Sequence, residues 1–229
     1  MKNSNTLKIL LSLCLFFSVR AFSQYKVIGY LPVYGIYSPD LAKIPFEKIT
    51  HLNLAFINPD SLGNFVIPAR ADTIIKIAHA VHVKVLASIG GGNAPVYFER
   101  LLTNANRESL VNHILQFADQ YQLDGIDIDL EGKAIDEHYE IFLAELSKAL
   151  KKQKKLLTAA IATGYSAQIS NAAIAHLDFV NIMAYDKTGP WTPDRPGHHA
   201  PYELAVEDLN SCNITRGVSP KKTKPCLPL

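Results

Sequence analysis

Short apolar runs alternate with amphipathic stretches along the chain, and the two kinds of segment have different periods. "KVIGYLP" (Lys26 to Pro32), "HLNLAFI" (His51 to Ile57), "VKVLASIG" (Val83 to Gly90), "GIDIDLE" (Gly125 to Glu131), "LLTAAIA" (Leu156 to Ala162) and "FVNIMAYD" (Phe179 to Asp186) are short and apolar enough for strands. Between them, "ADTIIKIAHAV", "VYFERLL", "RESLVNHILQFADQY" and "DEHYEIFLAELSKALKK" carry a helical repeat; in the last, Tyr139, Phe142, Leu143, Leu146, Ala149 and Leu150 fall on one face with charges opposite. This pattern predicts about six β/α units. Strands apolar on both faces and separated by helices indicate a parallel sheet whose faces are covered.

Two parallel architectures fit, an open doubly wound sheet and an eight-unit barrel. The open sheet usually carries a Gly-rich phosphate turn after an early strand. Here the Gly run is "SIGGGN", Ser88 to Asn93; it follows the third strand, has no Lys-Ser/Thr and does not match G-x-G-x-x-G. The barrel is the better expectation, although six units are not eight.

One strand breaks the apolar rule. In "LDGIDIDLEG" (Leu123 to Gly132), Asp127, Asp129 and Glu131 alternate with Ile126, Ile128 and Leu130. Alternate side chains of a strand share a face, so the three acids point one way in steps of about 6.6 Å. In a barrel they project inward and climb toward the C-terminal mouth, where barrel enzymes do their chemistry. Like charges buried together retain a proton and have perturbed acidities. An exposed antiparallel strand would mix Lys and Thr among its acids. A calcium loop would place Asp127, Asp129, Glu131 and Gly132 at its positions 1, 3, 5 and 6, but it needs a bidentate Glu where this chain has His138.

Composition changes the picture at the ends. Residues 1–23 carry Lys2 and Lys8, an apolar run from Ile9 to Val19 and then Ala21-Phe22-Ser23, the pattern of a secretory signal peptide. Its core is too short to span a bilayer, and no later run is long enough for a membrane span. Cys14 raises a lipoprotein alternative, but Leu13 stands where lipid attachment needs a small residue. The remaining domain, 24–229, is expected to be secreted or periplasmic. It has 20 basic against 21 acidic residues, a balance that gives no reason to expect nucleic acid or an anionic membrane as partner. Cys212 and Cys226 remain in it, as one disulfide or as two idle thiols.

At the acidic strand the chain resembles glycoside hydrolase family 18, the chitinase family, whose signature D-G-x-D-x-D-x-E matches Asp124 to Glu131 without departure. "SIGG" (Ser88 to Gly91, with Gly90) resembles its S-x-G-G, "MAYD" (Met183 to Asp186) its M-x-Y-D, and "GYLP" around Tyr30 its first strand. "GPW" (Gly189 to Trp191) and "GHHAP" (Gly197 to Pro201) resemble the loop after strand six, so the likeness runs over about 190 residues.

The resemblance implies a (β/α)₈ TIM barrel and cofactor-free, metal-free, substrate-assisted hydrolysis of β-1,4-linked N-acetylglucosamine polymers with retention, with chitin or chitooligosaccharide as partner. Glu131 would protonate the glycosidic oxygen and later activate water, while the substrate's own acetamido oxygen attacks the anomeric carbon. Asp129 would bind the acetamido N–H and offset the oxazolinium charge; Asp127 would share a proton with Asp129, supported by Ser88. Tyr185 would donate to the acetamido oxygen, Asp186 would hold the same sugar, and Tyr30 would line the subsite floor. Gly90, Gly91, Asp124 and Met183 belong to the same motifs as substrate-binding positions. Trp191 stands either as a sugar-stacking face or as packing. His198 and His199, adjacent on an extended chain, point apart and make no metal pair.

Other members of the same class would cut the chitobiose core of N-glycans. A sugar-binding lectin, in which the acid is replaced, is disfavoured because Glu131 is present. An inert truncated product is the third alternative: after "YELAVEDLNSCNITRGVSPKK" the family pattern is lost at Lys222, which implies an interrupted reading frame. "TKPCLPL" has two prolines and makes a poor central strand. Such a fragment is expected to have two unpaired edges and to fold weakly or aggregate, unless strands one and six approach each other or another chain supplies the missing wall.

Overall fold

The computed structural model describes residues 25–32 and 41–227. The segment read as a signal peptide, residues 1–23 with Cys14, lies outside them. Seven parallel strands form one sheet in strict chain order: β1 (Ile28–Pro32), β2 (His51–Ala55), β3 (Lys84–Gly90), β4 (Gly125–Asp129), β5 (Leu156–Ala162), β6 (Phe179–Met183) and β7 (Thr223–Cys226). The helices are α1 (Ala71–Ala80), α2 (Phe98–Leu102), α3 (Arg107–Gln120), α4 (Tyr139–Lys152), α5 (Asn171–His176) and α6 (Tyr202–Asn210).

The apolar face of each strand meets these helices. Ile126 and Ile128 of β4, Val85, Ala87 and Ile89 of β3, and Leu157, Ala159 and Ile161 of β5 are buried in a single core with Phe142, Leu143, Leu146 and Leu150 of α4. Each such side chain, removed from water, contributes roughly 1.5–3 kcal/mol. This layer holds the sheet from outside and leaves the other face of every strand for the interior.

The sheet curls into an open barrel. Tyr30 of β1 donates through its hydroxyl to Asp127 of β4 at 2.9 Å, and Asn181 of β6 donates to the same hydroxyl at 2.9 Å, so strands far apart in sheet order meet inside. Strands one and six do approach each other. Lower down, the His51 ring of β2 and the Phe179 ring of β6 meet edge to face at 5.4 Å.

The sequence predicted about six β/α units; the described residues form seven strands. β7 is built from the segment read as a poor strand, and its position explains how. Val180 and Ala184 donate to the carbonyls of Lys222 and Cys226 at 2.8 and 3.2 Å, so the even-numbered residues face β6 and the nitrogen of Pro225 is turned to the free edge. An edge tolerates the missing N–H. α5 was not predicted, being six residues long; Ser170 caps it, its hydroxyl accepting the Ala173 N–H at 2.9 Å. No helix among the described residues is long and apolar enough to cross a membrane.

Candidate active site

The acids of β4 lie on the interior face, as their alternation predicts. The strand ends at Asp129, but Glu131 keeps an extended backbone (φ −130°, ψ 159°), so the alternation carries past the last sheet bond. Asp127 pairs in register with Ser88 of β3 on one side and Thr158 of β5 on the other. Both hydroxyls donate to it, Ser88 to Oδ2 at 2.8 Å and Thr158 to Oδ1 at 2.5 Å. Tyr30 adds a donor to Oδ2 at 2.9 Å, and Asn181 one to Oδ1 at 3.4 Å. Asp127 is wholly buried, and burial pushes its acidity constant up while these four donors oppose the shift.

Asp129 has no such cage. Its Oδ1 is buried without a partner, and burial, followed by the charges of Asp127 and Glu131, raises its pKa to about 8. Glu131, half-buried at the rim, is also raised, by burial and then by Asp186. Tyr30 and Tyr185 are pushed far up, burial first, and so remain protonated donors. The interior therefore offers a graded set of acids at the mouth of a curled sheet, backed by tyrosine hydroxyls.

Two glycines let the neighbouring strand come this close. Gly90 has φ +118°, and a Cβ there would lie 2.2 Å from the carbonyl oxygen of Asp129; Gly91 has φ +89°, and its Cβ would meet the Phe56 ring at 2.6 Å. No other residue fits either position. Asn58 clamps the turn, accepting the Gly90 N–H at 2.7 Å and donating to its carbonyl at 2.9 Å.

Beyond β6 the chain carries Met183, buried at the strand end, then Tyr185 and Asp186. The Asp186 carboxylate meets His199 Nδ1 at 3.4 Å, both side chains being largely exposed. Lys187 anchors this loop to α6, its ammonium 2.7 Å from Asp208 and 3.0 Å from Thr163 Oγ1.

These strands match a known family. The description "Glycosyl hydrolases family 18" covers residues 26–224 of the chain. The chain belongs to glycoside hydrolase family 18. It is similar to a family 18 chitinase from the chitin utilization locus of Flavobacterium johnsoniae, at 34% identity and a TM-score of 0.81, over 87% of this chain and 66% of that one. A class V chitinase of Medicago truncatula is 28% identical over 87% of this chain and 62% of its own length. A family 18 chitinase of Cycas revoluta, solved in complex with (GlcNAc)3, gives 26% identity and a TM-score of 0.74 over 86% of this chain and 67% of that one. The chain thus spans about two thirds of the length of these relatives.

Within this family 18 chain the signature does not act as a block. Asp124 stands apart from Asp127, Asp129 and Glu131: it accepts the Val85 N–H at 2.8 Å and pairs with His79 of α1 at 2.9 Å, at the opposite end of β4. It ties a helix to the sheet and does not reach the interior acids, a correction to its grouping with the substrate-binding positions. Its even number already sets it out of phase with 127, 129 and 131. Trp191 lies against its own loop, where a Cβ on Gly189 would be 2.5 Å from the ring, and is more than half exposed. Cys212 and Cys226 are free thiols. Cys212 belongs to the helix side, beside Asp208 and Arg216, whereas Cys226 hydrogen-bonds Tyr185 on the interior side. Being on opposite faces of the sheet, they cannot form the disulfide that their pairing suggested.

Thr158, Asn181 and Asn58 were missed as site residues. A polar residue inside an apolar strand was a visible signal in "FVNIM" and "LLTAAIA", but only strand register brings Thr158 and Asn181 to Asp127.

Proposed function

We propose that this chain is an exported chitinase-type hydrolase that cleaves β-1,4-linked N-acetylglucosamine chains by substrate-assisted, retaining hydrolysis. The observation that carries this reading is the inward ladder of Asp127, Asp129 and Glu131, in which Asp129 holds its proton to about pH 8 while Glu131 stands at the rim with a raised acidity constant. A carboxyl that holds its proton is a poor nucleophile, which argues against Asp129 attacking the anomeric carbon. A nucleophile supplied by the sugar's own acetamido oxygen fits the site, with Asp129 receiving the amide N–H and Tyr185 donating to the oxygen. Asp186 holds the same sugar, and Tyr30 backs the site from β1. Glu131, whose acidity constant is raised by burial and then by Asp186, is the acid that protonates the leaving oxygen and then the base that activates water. The bound trisaccharide of the Cycas relative is consistent with a chitooligosaccharide ligand here.

The test is a fluorogenic chitobioside assay on residues 24–229 beside Glu131→Gln. Turnover in the parent, lowered by roughly 10²–10⁴-fold in the variant with sugar affinity retained, is expected. Binding without turnover in the parent would make the chain a lectin, and neither would make it an inert family member.

A further inference from the structure

Asp127 is surrounded by groups that offer hydrogens, and for Asn181 and Tyr30 the direction is set. The Asn181 amide nitrogen only donates, and it donates both to Asp127 Oδ1 and to the Tyr30 hydroxyl oxygen. Accepting there, Tyr30 turns its own hydrogen onto Asp127 Oδ2. Ser88 and Thr158 complete the set from the two flanking strands, and both are fully shielded from water. A proton on Asp127 would face one of these hydrogens and force a buried hydroxyl to reverse. Asp129 is the opposite case, with a buried oxygen that no donor reaches. A negative charge there would leave that oxygen buried without a hydrogen bond to support it.

We infer that Thr158, assisted by Asn181, is a positioning residue that locks Asp127 as the anion of the carboxylate pair and thereby leaves the pair's proton on Asp129. Thr158 supplies the shortest of the four bonds and is the only donor from β5. It touches no reacting atom in the proposed chemistry and acts through Asp127. Its catalytic consequence rests on the hydrolase reading above; the placement of the proton does not. A neutral Asp129 keeps an oxygen ready for the acetamido N–H without bringing a second charge beside Glu131.

The experiment compares Thr158→Val and Thr158→Ser with the parent, following the thermal midpoint from pH 5 to 10. Removing a donor from an anion makes the pair hold its proton more firmly. The pH at which that proton is lost is therefore expected to rise by about one to two units in Thr158→Val and to stay near the parent's in Thr158→Ser. The shift should vanish when Thr158→Val is placed in an Asp127→Asn background, since the group it acts through is gone. With chitobioside, kcat should fall at least ~10-fold in Thr158→Val with KM held within about twofold, and Thr158→Ser should restore most of it. An unshifted pH dependence in Thr158→Val, or a shift that persists without Asp127, overturns the inference. If the parent turns over no sugar, the hydrolase reading fails while the melting series still decides where the proton sits. If the valine variant does not fold, Thr158→Ala is carried through the same series.

Discussion

Residues 127 and 129 carry the same side chain two positions apart and have opposite environments. Four donors favour the first as an anion, and burial with no donor at Oδ1 favours the second as the protonated acid. That difference has a price in stability. The folded protein binds the Asp129 proton more tightly than the unfolded chain does, so stability is present below the unfolded value of about 4 and is lost as pH rises toward about 8. Asp129→Asn removes the ionisable group while keeping its shape. It should be more stable than the parent at pH 7, by a few kcal/mol on the scale of 1.36 kcal/mol per pH unit, and nearly equal to it at pH 4. Thermal melts of both proteins at the two pH values check this; an equal difference at both would assign the effect to packing rather than to the buried charge.

At the scale of elements, what was legible is what repeats locally. β4 announced itself by its period of two, and α4 by its period near 3.6, because both signals are complete within a dozen residues. α4 also shows where the fold is held: Leu146 is fully buried, and the helix packs on α3, α5 and β5. Leu146→Ala should cost about 2–5 kcal/mol, against about 1 kcal/mol for Ser170→Ala at the cap of α5, read from denaturant midpoints. β7 was hidden because a proline argues against a central strand, and only its placement at an edge reconciles the two. Thr158 and Asn181 were hidden for a different reason. Each looks like a polar interruption of its own strand, and its meaning depends on which residue of another strand lies beside it; that register is set by the whole sheet. The sheet itself lies between Cys212, on its helix side, and Cys226, on its interior side, which a count of cysteines would join.

Across the whole molecule, the two ends of the barrel interior titrate in opposing senses. At the C-terminal end lies Asp129, which weakens the fold as pH rises. At the other end His51 of β2 is buried against Phe179, its Nδ1 2.8 Å from Thr50 Oγ1, with Lys26 poised 5.9 Å above the same phenylalanine ring. Burial, and then the charges of Lys26 and Lys84, lower its pKa from 6.5 to about 4 despite Asp124. Here the unfolded chain binds the proton more readily, so stability is full above about pH 6.5 and falls as pH drops toward 4, by up to about 3 kcal/mol. Between about pH 4 and 6.5 the two slopes are opposite and nearly cancel; above about 6.5 only that of Asp129 remains, so the two groups together make a plateau that falls away toward about pH 8. His51→Phe keeps an aromatic edge against Phe179 without a titratable nitrogen, so it should uncover the Asp129 slope between pH 4 and 6.5, stability then falling from about pH 4 to 8, and leave the slope above 6.5 as it was. Asp129→Asn should uncover the His51 slope instead, stability rising from about pH 4 to 6.5 and staying level above, and because the two sites lie at opposite ends of the strands, the double variant should show the sum of both changes. Melting midpoints from pH 4 to 9 for the four proteins test this, and a plateau between pH 4 and 6.5 that survives in His51→Phe would place the opposing group elsewhere.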